Sequence, residues 1–74
     1  MSLASIPTNH ITEIDDASST VTYVGLADPG SATSAAVWQI KKLTTSGSVT
    51  TVTLADGNSN FDNVWDNRAS LSYS

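Results

Sequence analysis

One stretch of this chain, from Val37 to Leu54, has the pattern of two adjacent β-strands and limits the folds open to the whole sequence. Its arms, residues 37–43 and 49–54, are rich in β-branched and aromatic residues, and apolar and polar side chains alternate along each arm. This period of two is typical of strands that bury one face. Between the arms, Gly47 tolerates the positive φ that short hairpin loops need. The stretch therefore predicts a β-hairpin.

Two other segments, residues 21–26 and 69–73, also have the composition and alternation of strands. The sequence Asp28-Pro29-Gly30, which follows the first of them, is a turn signal, because proline fixes φ and glycine accepts the left-handed conformation. We therefore predict a mainly β fold, namely a small antiparallel β-sandwich or barrel-like domain of four or five strands.

A short helical turn is predicted between the hairpin and the C-terminal strand. Phe61, Val64 and Trp65 are spaced at i, i+3 and i+4, and Ser59 and Asp62 have the spacing of a capping box. This turn would lay Phe61 and Trp65 onto the sheet. The candidate core residues are aromatic or branched: Tyr23, Trp38, Ile40, Val52, Leu54, Phe61, Trp65 and Leu71.

The segment 1–20 differs from the rest of the chain and predicts an extended N-terminal arm that precedes a β domain at 21–74. Polar residues separate its isoleucines, so only a short strand, at residues 10–14, fits the pattern. These isoleucines are Ile6, Ile11 and Ile14. Two interpretations stay open: the arm is a frayed terminus, or its isoleucines dock on a neighbouring subunit.

The length of the chain, 74 residues, favours assembly with other molecules. Chains this short bury only about 60% of their unfolded surface, and they commonly depend on disulfides, a metal or oligomerisation. The chain has no cysteine, and His10 is its single histidine. Partners that are copies of itself or larger proteins are therefore expected.

The charge balance argues against two classes of partner. The net charge is −4, and the only basic residues are Lys41, Lys42 and Arg68. Nucleic-acid binding and membrane-surface binding both need a basic face. We therefore expect neither nucleic acid nor membrane as a partner.

Residues 56–62 place oxygen-bearing side chains at alternate positions, as in the first half of a calcium-binding loop. The match then fails, because Phe61 stands where that loop needs glycine and Asn67 where it needs glutamate. We predict a turn here, and neither a metal nor another cofactor.

The sequence also gives little support for a catalytic site. General acid–base chemistry needs two carboxylates in a cleft that separates their pKa values, and neither Asp15 with Asp16 nor Asp62 with Asp66 meets that requirement in so small a chain. A nucleophilic triad built on His10 would have to form within the predicted arm. No catalytic residue is assigned, and we expect that the protein is not an enzyme.

Several side chains are better candidates for contacts with other proteins than for catalysis. Trp65 follows a turn and suits either the core or an interface, and tryptophan and arginine are both enriched in interface hot spots. Trp65 with Arg68 is therefore the favoured contact pair. The full set of interface candidates is Ile6, Ile11, Ile14, Trp65, Arg68 and Tyr73.

Two runs of the sequence are distinctive. The first is Trp38-Gln39-Ile40-Lys41-Lys42, and the second extends from Asp56-Gly57-Asn58 through Phe61-Asp62-Asn63-Val64-Trp65-Asp66-Asn67-Arg68-Ala69-Ser70-Leu71. With these runs the chain resembles short β-rich structural proteins of tailed bacteriophages, especially marine ones. The resemblance covers residues 21–74, and no catalytic motif is known for the group.

The resemblance implies a structural component of the virion, in contact with other virion proteins and with copies of itself. Tail or fibre attachment is the first expectation, and decoration of the capsid is the alternative. A function of another class is binding of a surface glycan, in which Trp65 or Tyr73 would stack on a sugar ring.

Overall fold

The structure is a computed structural model and describes residues 9–74, so Ile6 of the predicted arm lies outside it. The strands pair antiparallel in the order β1-β2-β3-β4, and β5 pairs with β3. In chain order the elements are β1 (Ile11–Asp15), β2 (Val21–Ala27), β3 (Ala36–Ser46), β4 (Val49–Leu54), β5 (Asn63–Val64) and a 3-10 helix (Trp65–Ser70). The prediction of a mainly β, antiparallel fold is confirmed. No helical segment within residues 9–74 has the length and hydrophobicity needed to cross a membrane.

The predicted hairpin is present as β3 and β4. Ser46 pairs with Val49, so Gly47 and Ser48 form the turn, and Gly47 has a φ of 61°. The short strand predicted at residues 10–14 is also present, as β1, which pairs along β2. The sheet therefore begins within the segment that the sequence predicts to be an arm.

The predicted short helical turn is present, but it lies later in the chain than expected, and the predicted C-terminal strand does not form. Asn63 and Val64 pair with the first residues of β3, and the helix begins only at Trp65 without a side-chain cap, so the capping box does not form. The expected strand at 69–73 is replaced by the end of the 3-10 helix and a single bridge from Tyr73 to Ala55. The reason is that β3 extends beyond β2 and β4, and its exposed backbone pairs with β5 in preference to a local helical turn.

The buried core lies on one face of the sheet, under the 3-10 helix. It consists of Tyr23, Ala27, Trp38, Ile40, Ala55 and Trp65. All four of the large side chains in this core were predicted. Leu71 packs against it and is half-buried.

Three of the predicted core residues lie outside this core. Leu54 is half-buried on the opposite face of the sheet, since it pairs in register with Lys41 and not with Ile40. Phe61 is 45% exposed, because it lies in the loop before β5 and outside the helix. Val52 is 55% exposed, because its place in β4 directs it to the face of the sheet opposite the helix.

A glycine in the middle of β2 makes room for the tryptophans. A Cβ atom on Gly25 would lie 2.5 Å from Cε3 of Trp65 and 3.1 Å from Cε3 of Trp38. The two indole rings are 5.8 Å apart and tilted by 37°, an arrangement that aromatic pairs favour. Glycine in a strand interior marks such close approaches. This contact holds the 3-10 helix against the sheet.

We expect Gly25→Ala to lower the free energy of unfolding by about 1–3 kcal/mol, because the added methyl group overpacks the site against Trp65. Urea denaturation followed by circular dichroism measures the change. In a Trp65→Leu background the indole is gone, so the same substitution should cost much less. Equal costs in the two backgrounds would contradict the assigned contact.

Candidate functional site

The face of the sheet opposite the core carries apolar side chains that are half-buried or exposed. Ile14, Val24, Lys41 and Leu54 lie side by side across the four strands, since each is paired in register with the next. Ile14 is 67% exposed, and Val52 lies on the same face. We call this surface the outer face; its members are Ile14, Val24, Lys41, Leu43, Val52 and Leu54.

The two edges of the sheet differ in charge. On β1, Glu13 and Asp15 lie within the strand and Asp16 follows it. The strand β4 has the sequence Val-Thr-Thr-Val-Thr-Leu, with no charge and no proline. Charges and prolines are the common devices that prevent unwanted pairing at a sheet edge. The β1 edge therefore has protection that the β4 edge lacks.

The C-terminus covers only the last part of the β4 edge. Leu54 N–H donates to the carbonyl of Ser74 (3.2 Å), and Ser74 N–H donates to the carbonyl of Leu54 (3.1 Å). Next to them, Asp56 N–H donates to the carbonyl of Ser72 (2.8 Å). The remainder of the β4 edge pairs with no strand among residues 9–74.

Arg68 connects the 3-10 helix to β1. Its Nε donates to Oδ2 of Asp15 (2.9 Å), and its Nη1 donates to the carbonyl of Trp65 (3.1 Å). The guanidinium lies 4.6 Å from the centroid of the Trp65 ring, within the range of a cation–π contact. Trp65 and Arg68 thus contact each other within the chain. Only 5% of Trp65 is exposed, so it is a core residue here, because the gap at Gly25 accepts its ring.

Tyr73 is enclosed between the helix and the sheet. Its hydroxyl donates to the carbonyl of Arg68 (2.8 Å), and its ring lies 5.8 Å from that of Tyr23 and 5.6 Å from Nζ of Lys42. Burial, with a smaller contribution from the charge of nearby Tyr23, raises the pKa of Tyr73 from 10.0 to about 12. Most of its ring is therefore committed to contacts within the chain.

The isoleucine candidates have different environments. Ile11 packs against the core and is half-buried. Ile14 is largely exposed on the outer face. Among the interface candidates that the structure describes, Ile14 therefore presents the most open apolar surface.

A cleft that the sequence did not predict lies beside the start of β1. Its volume is about 390 Å³, and it is lined by His10, Asp28, Val37 and Phe61. The rings of His10 and Phe61 are stacked, with centroids 5.6 Å apart and planes 19° apart. These residues come from four separate parts of the chain, so no local pattern could indicate that they meet.

The segment 56–60, which partly matches a calcium loop, forms a turn. Asp56 and Gly57 both have positive φ, at 60° and 69°, and Asn60 N–H donates to Oδ1 of Asn58 (2.9 Å). Within residues 9–74, no three histidine, cysteine or acidic side chains are grouped so that they could hold a metal ion.

The adjacent carboxylates of Asp15 and Asp16 have separate partners. Asp16 accepts a hydrogen bond from Thr22 Oγ1 (2.9 Å), while Asp15 binds Arg68. Each carboxylate is therefore engaged in its own contact within the chain.

Comparison with known proteins gives no match to any family model, to any curated protein or to any solved structure.

We expect the stability of the fold to decline as the pH rises from about 10 to about 12. The raised pKa of Tyr73 means that folding favours the neutral phenol, so its contribution is complete below pH 10.0 and is lost as the pH passes about 12. Chemical denaturation at several pH values, with tyrosinate absorbance, measures this. Tyr73→Phe should lack the absorbance step near pH 12. Persistence of that step in the variant would assign it to another group.

Proposed function

We propose that this chain is a structural, non-catalytic protein of a tailed-bacteriophage virion, associated with the tail or its fibres and assembled in several copies. The observation that carries the proposal is the uncharged edge of β4, which is open beside the exposed outer face. An edge of this kind suits a protein whose working state is an assembly.

The composition of the edge supports this proposal. An open strand of valine and threonine, with no charge or proline, readily adds a further strand. The chain has a net charge of −4, yet its acidic strand residues lie on β1 and none lies on β4. This distribution favours a protein in which charge protects the β1 edge from pairing and the β4 edge is used for contact.

The outer face provides a second contact surface. The chain by itself buries a small core, two members of which are alanines, Ala27 and Ala55. Ile14 and Val52 remain 67% and 55% exposed. Covering such side chains contributes about 25 cal/mol per Å² of apolar surface, so association would stabilise the domain as well as position it.

The assignment to a virion rests on the likeness of residues 21–74 to phage structural proteins. Other virion proteins and copies of the chain itself are the partners proposed. We place the chain in the tail or fibres, and decoration of the capsid remains the alternative placement.

The test is quantitative mass spectrometry of separated heads and tails from purified particles of the phage that encodes this chain. We expect a fixed copy number in the tail fraction, because a structural component is present in constant stoichiometry. A fixed number in heads alone would select capsid decoration. Absence from both fractions would overturn the virion proposal.

The cleft beside β1 favours one second candidate, binding of a surface glycan. Trp65 is buried and cannot stack on a sugar, and Tyr73 is packed within the chain. The exposed aromatic pair of the cleft is Phe61 with His10, and Asp28 supplies a carboxylate that can accept hydrogen bonds from hydroxyl groups.

If the cleft binds glycan, oligosaccharides from the host surface at millimolar concentration should shift the amide resonances of His10, Asp28 and Phe61 in NMR spectra. Phe61→Ala should abolish the shifts, since it removes the stacking surface. Val49→Ala is the matched control, because Val49 is also exposed but lies at the hairpin. Unshifted spectra of the native chain would remove this candidate.

A further inference from the structure

The hydrogen-bonding direction of each residue in β4 follows from its pairing with β3. Neighbouring residues of an antiparallel strand alternate between bonding to one side and to the other. Ala55 N–H donates to the carbonyl of Ile40 (2.9 Å), so Ala55 bonds toward β3. The register continues without a break through β4, so Thr51 and Thr53 also bond toward β3. Thr50, Val52 and Leu54 therefore direct their backbone groups outward.

The hydrogen bonds of Ser74 agree with this alternation of bonding directions along β4, and they mark one end of the open edge. Leu54 exchanges two hydrogen bonds with Ser74 on the outer side of β4, as an outward-directed residue should. At the other end, Gly47 and Ser48 reverse the chain. Between these limits, the outward N–H and C=O groups of Thr50 and Val52 have no backbone partner among residues 9–74.

We propose that these groups pair with the β4 strand of a second copy, antiparallel, across a two-fold axis that passes through Thr51. Thr50 of each copy then lies opposite Val52 of the other, as a hydrogen-bonded pair. Thr51 lies opposite its own copy at the axis, as a non-hydrogen-bonded pair. The inference deepens the proposed self-assembly and rests on it.

The open edge is limited by the turn at Ser48 and by the bonds between Leu54 and Ser74, and these limits allow only this register. Each bonded pair exchanges two hydrogen bonds, so the two Thr50–Val52 pairs satisfy every outward group between the turn and the C-terminus. A shift of the second copy along the strand would require Leu54, whose groups already bind Ser74, or Ser48, which is in the turn. In the proposed register, Val49 of one copy lies opposite Thr53 of the other. The hairpin turn of the first copy therefore lies next to Leu54 and Ser74 of the second.

The distribution of charge over the two edges favours a second copy of the chain as the partner of β4. Two β4 strands bring no charged side chains together, and Thr–Thr and Thr–Val neighbours are favourable cross-strand pairs. Two β1 strands would instead bring Glu13 and Asp15 of each copy close together in a chain of net charge −4. A two-fold contact between β4 strands is closed, and it leaves a β1 edge with acidic side chains at each end of the joined sheet.

Single cysteine substitutions test the register, since the chain has no cysteine of its own. Opposed residues of a non-hydrogen-bonded pair have Cα atoms about 4.5 Å apart, which a disulfide can span. We expect Thr51→Cys to form a covalent dimer under mild oxidation. Thr12→Cys, at an exposed position on the opposite edge, is the matched control and should remain monomeric. Crosslinking of Thr51→Cys no greater than that of Thr12→Cys would overturn the proposal.

Introducing a charge at the contact provides an independent measurement. We expect Thr51→Lys to raise the dissociation constant of the dimer at least about tenfold in analytical ultracentrifugation, because it places two like charges opposite each other. Thr12→Lys adds the same charge at the other edge and should leave the constant unchanged. A native chain that stays monomeric at all concentrations, or equal effects of the two lysines, would refute the pairing.

The two proposals fail in different ways. If the chain is present in particles but the Thr51→Cys variant does not crosslink there or in solution, the β4 pairing is wrong and the virion role stands. If that variant crosslinks in solution while particles lack the chain, the pairing stands and the virion role is wrong.

Discussion

The contact between Trp65 and Gly25 is the interaction on which the rest of the structure depends. The indole lies 2.5 Å from the position that a Cβ atom would take at residue 25, and it also packs against the tilted ring of Trp38. This position fixes the start of the 3-10 helix. Arg68 can then bind Asp15 on β1, and the carbonyl of Arg68 can accept a hydrogen bond from Tyr73. A single close approach thus connects the C-terminal segment to both edge strands of the sheet, β1 through Asp15 and β4 through the bridge from Tyr73 to Ala55.

The same contact leaves the molecule one-sided. The 3-10 helix and the residues after it pack on one face of the sheet, and the outer face keeps exposed side chains such as Ile14 and Val52. The C-terminus also reaches only Leu54 of the β4 edge. The uncovered face and edge are therefore the surfaces from which we infer assembly.

The candidate surfaces were only partly accessible to sequence reasoning. Sequence reasoning included Ile14 among the interface candidates, and the acidic character of β1 is visible in its composition. The cleft does not, because His10 and Phe61 meet only after β1 and the loop before β5 are placed. Trp65 suited either the core or a surface, and its residue type alone could not decide between them. Trp65 is in the core because the absence of a side chain at Gly25 leaves space for its ring.

The sequence by itself determined the antiparallel β class, the β3–β4 hairpin and its turn at Gly47, because strand alternation and turn chemistry are local properties. Only the tertiary structure decided that residues 65–70 form a 3-10 helix, that Phe61 is exposed, and that β4 keeps an open edge. Those outcomes depend on pairing between distant segments, in which backbone hydrogen bonds and a close-packed indole outweigh local preference.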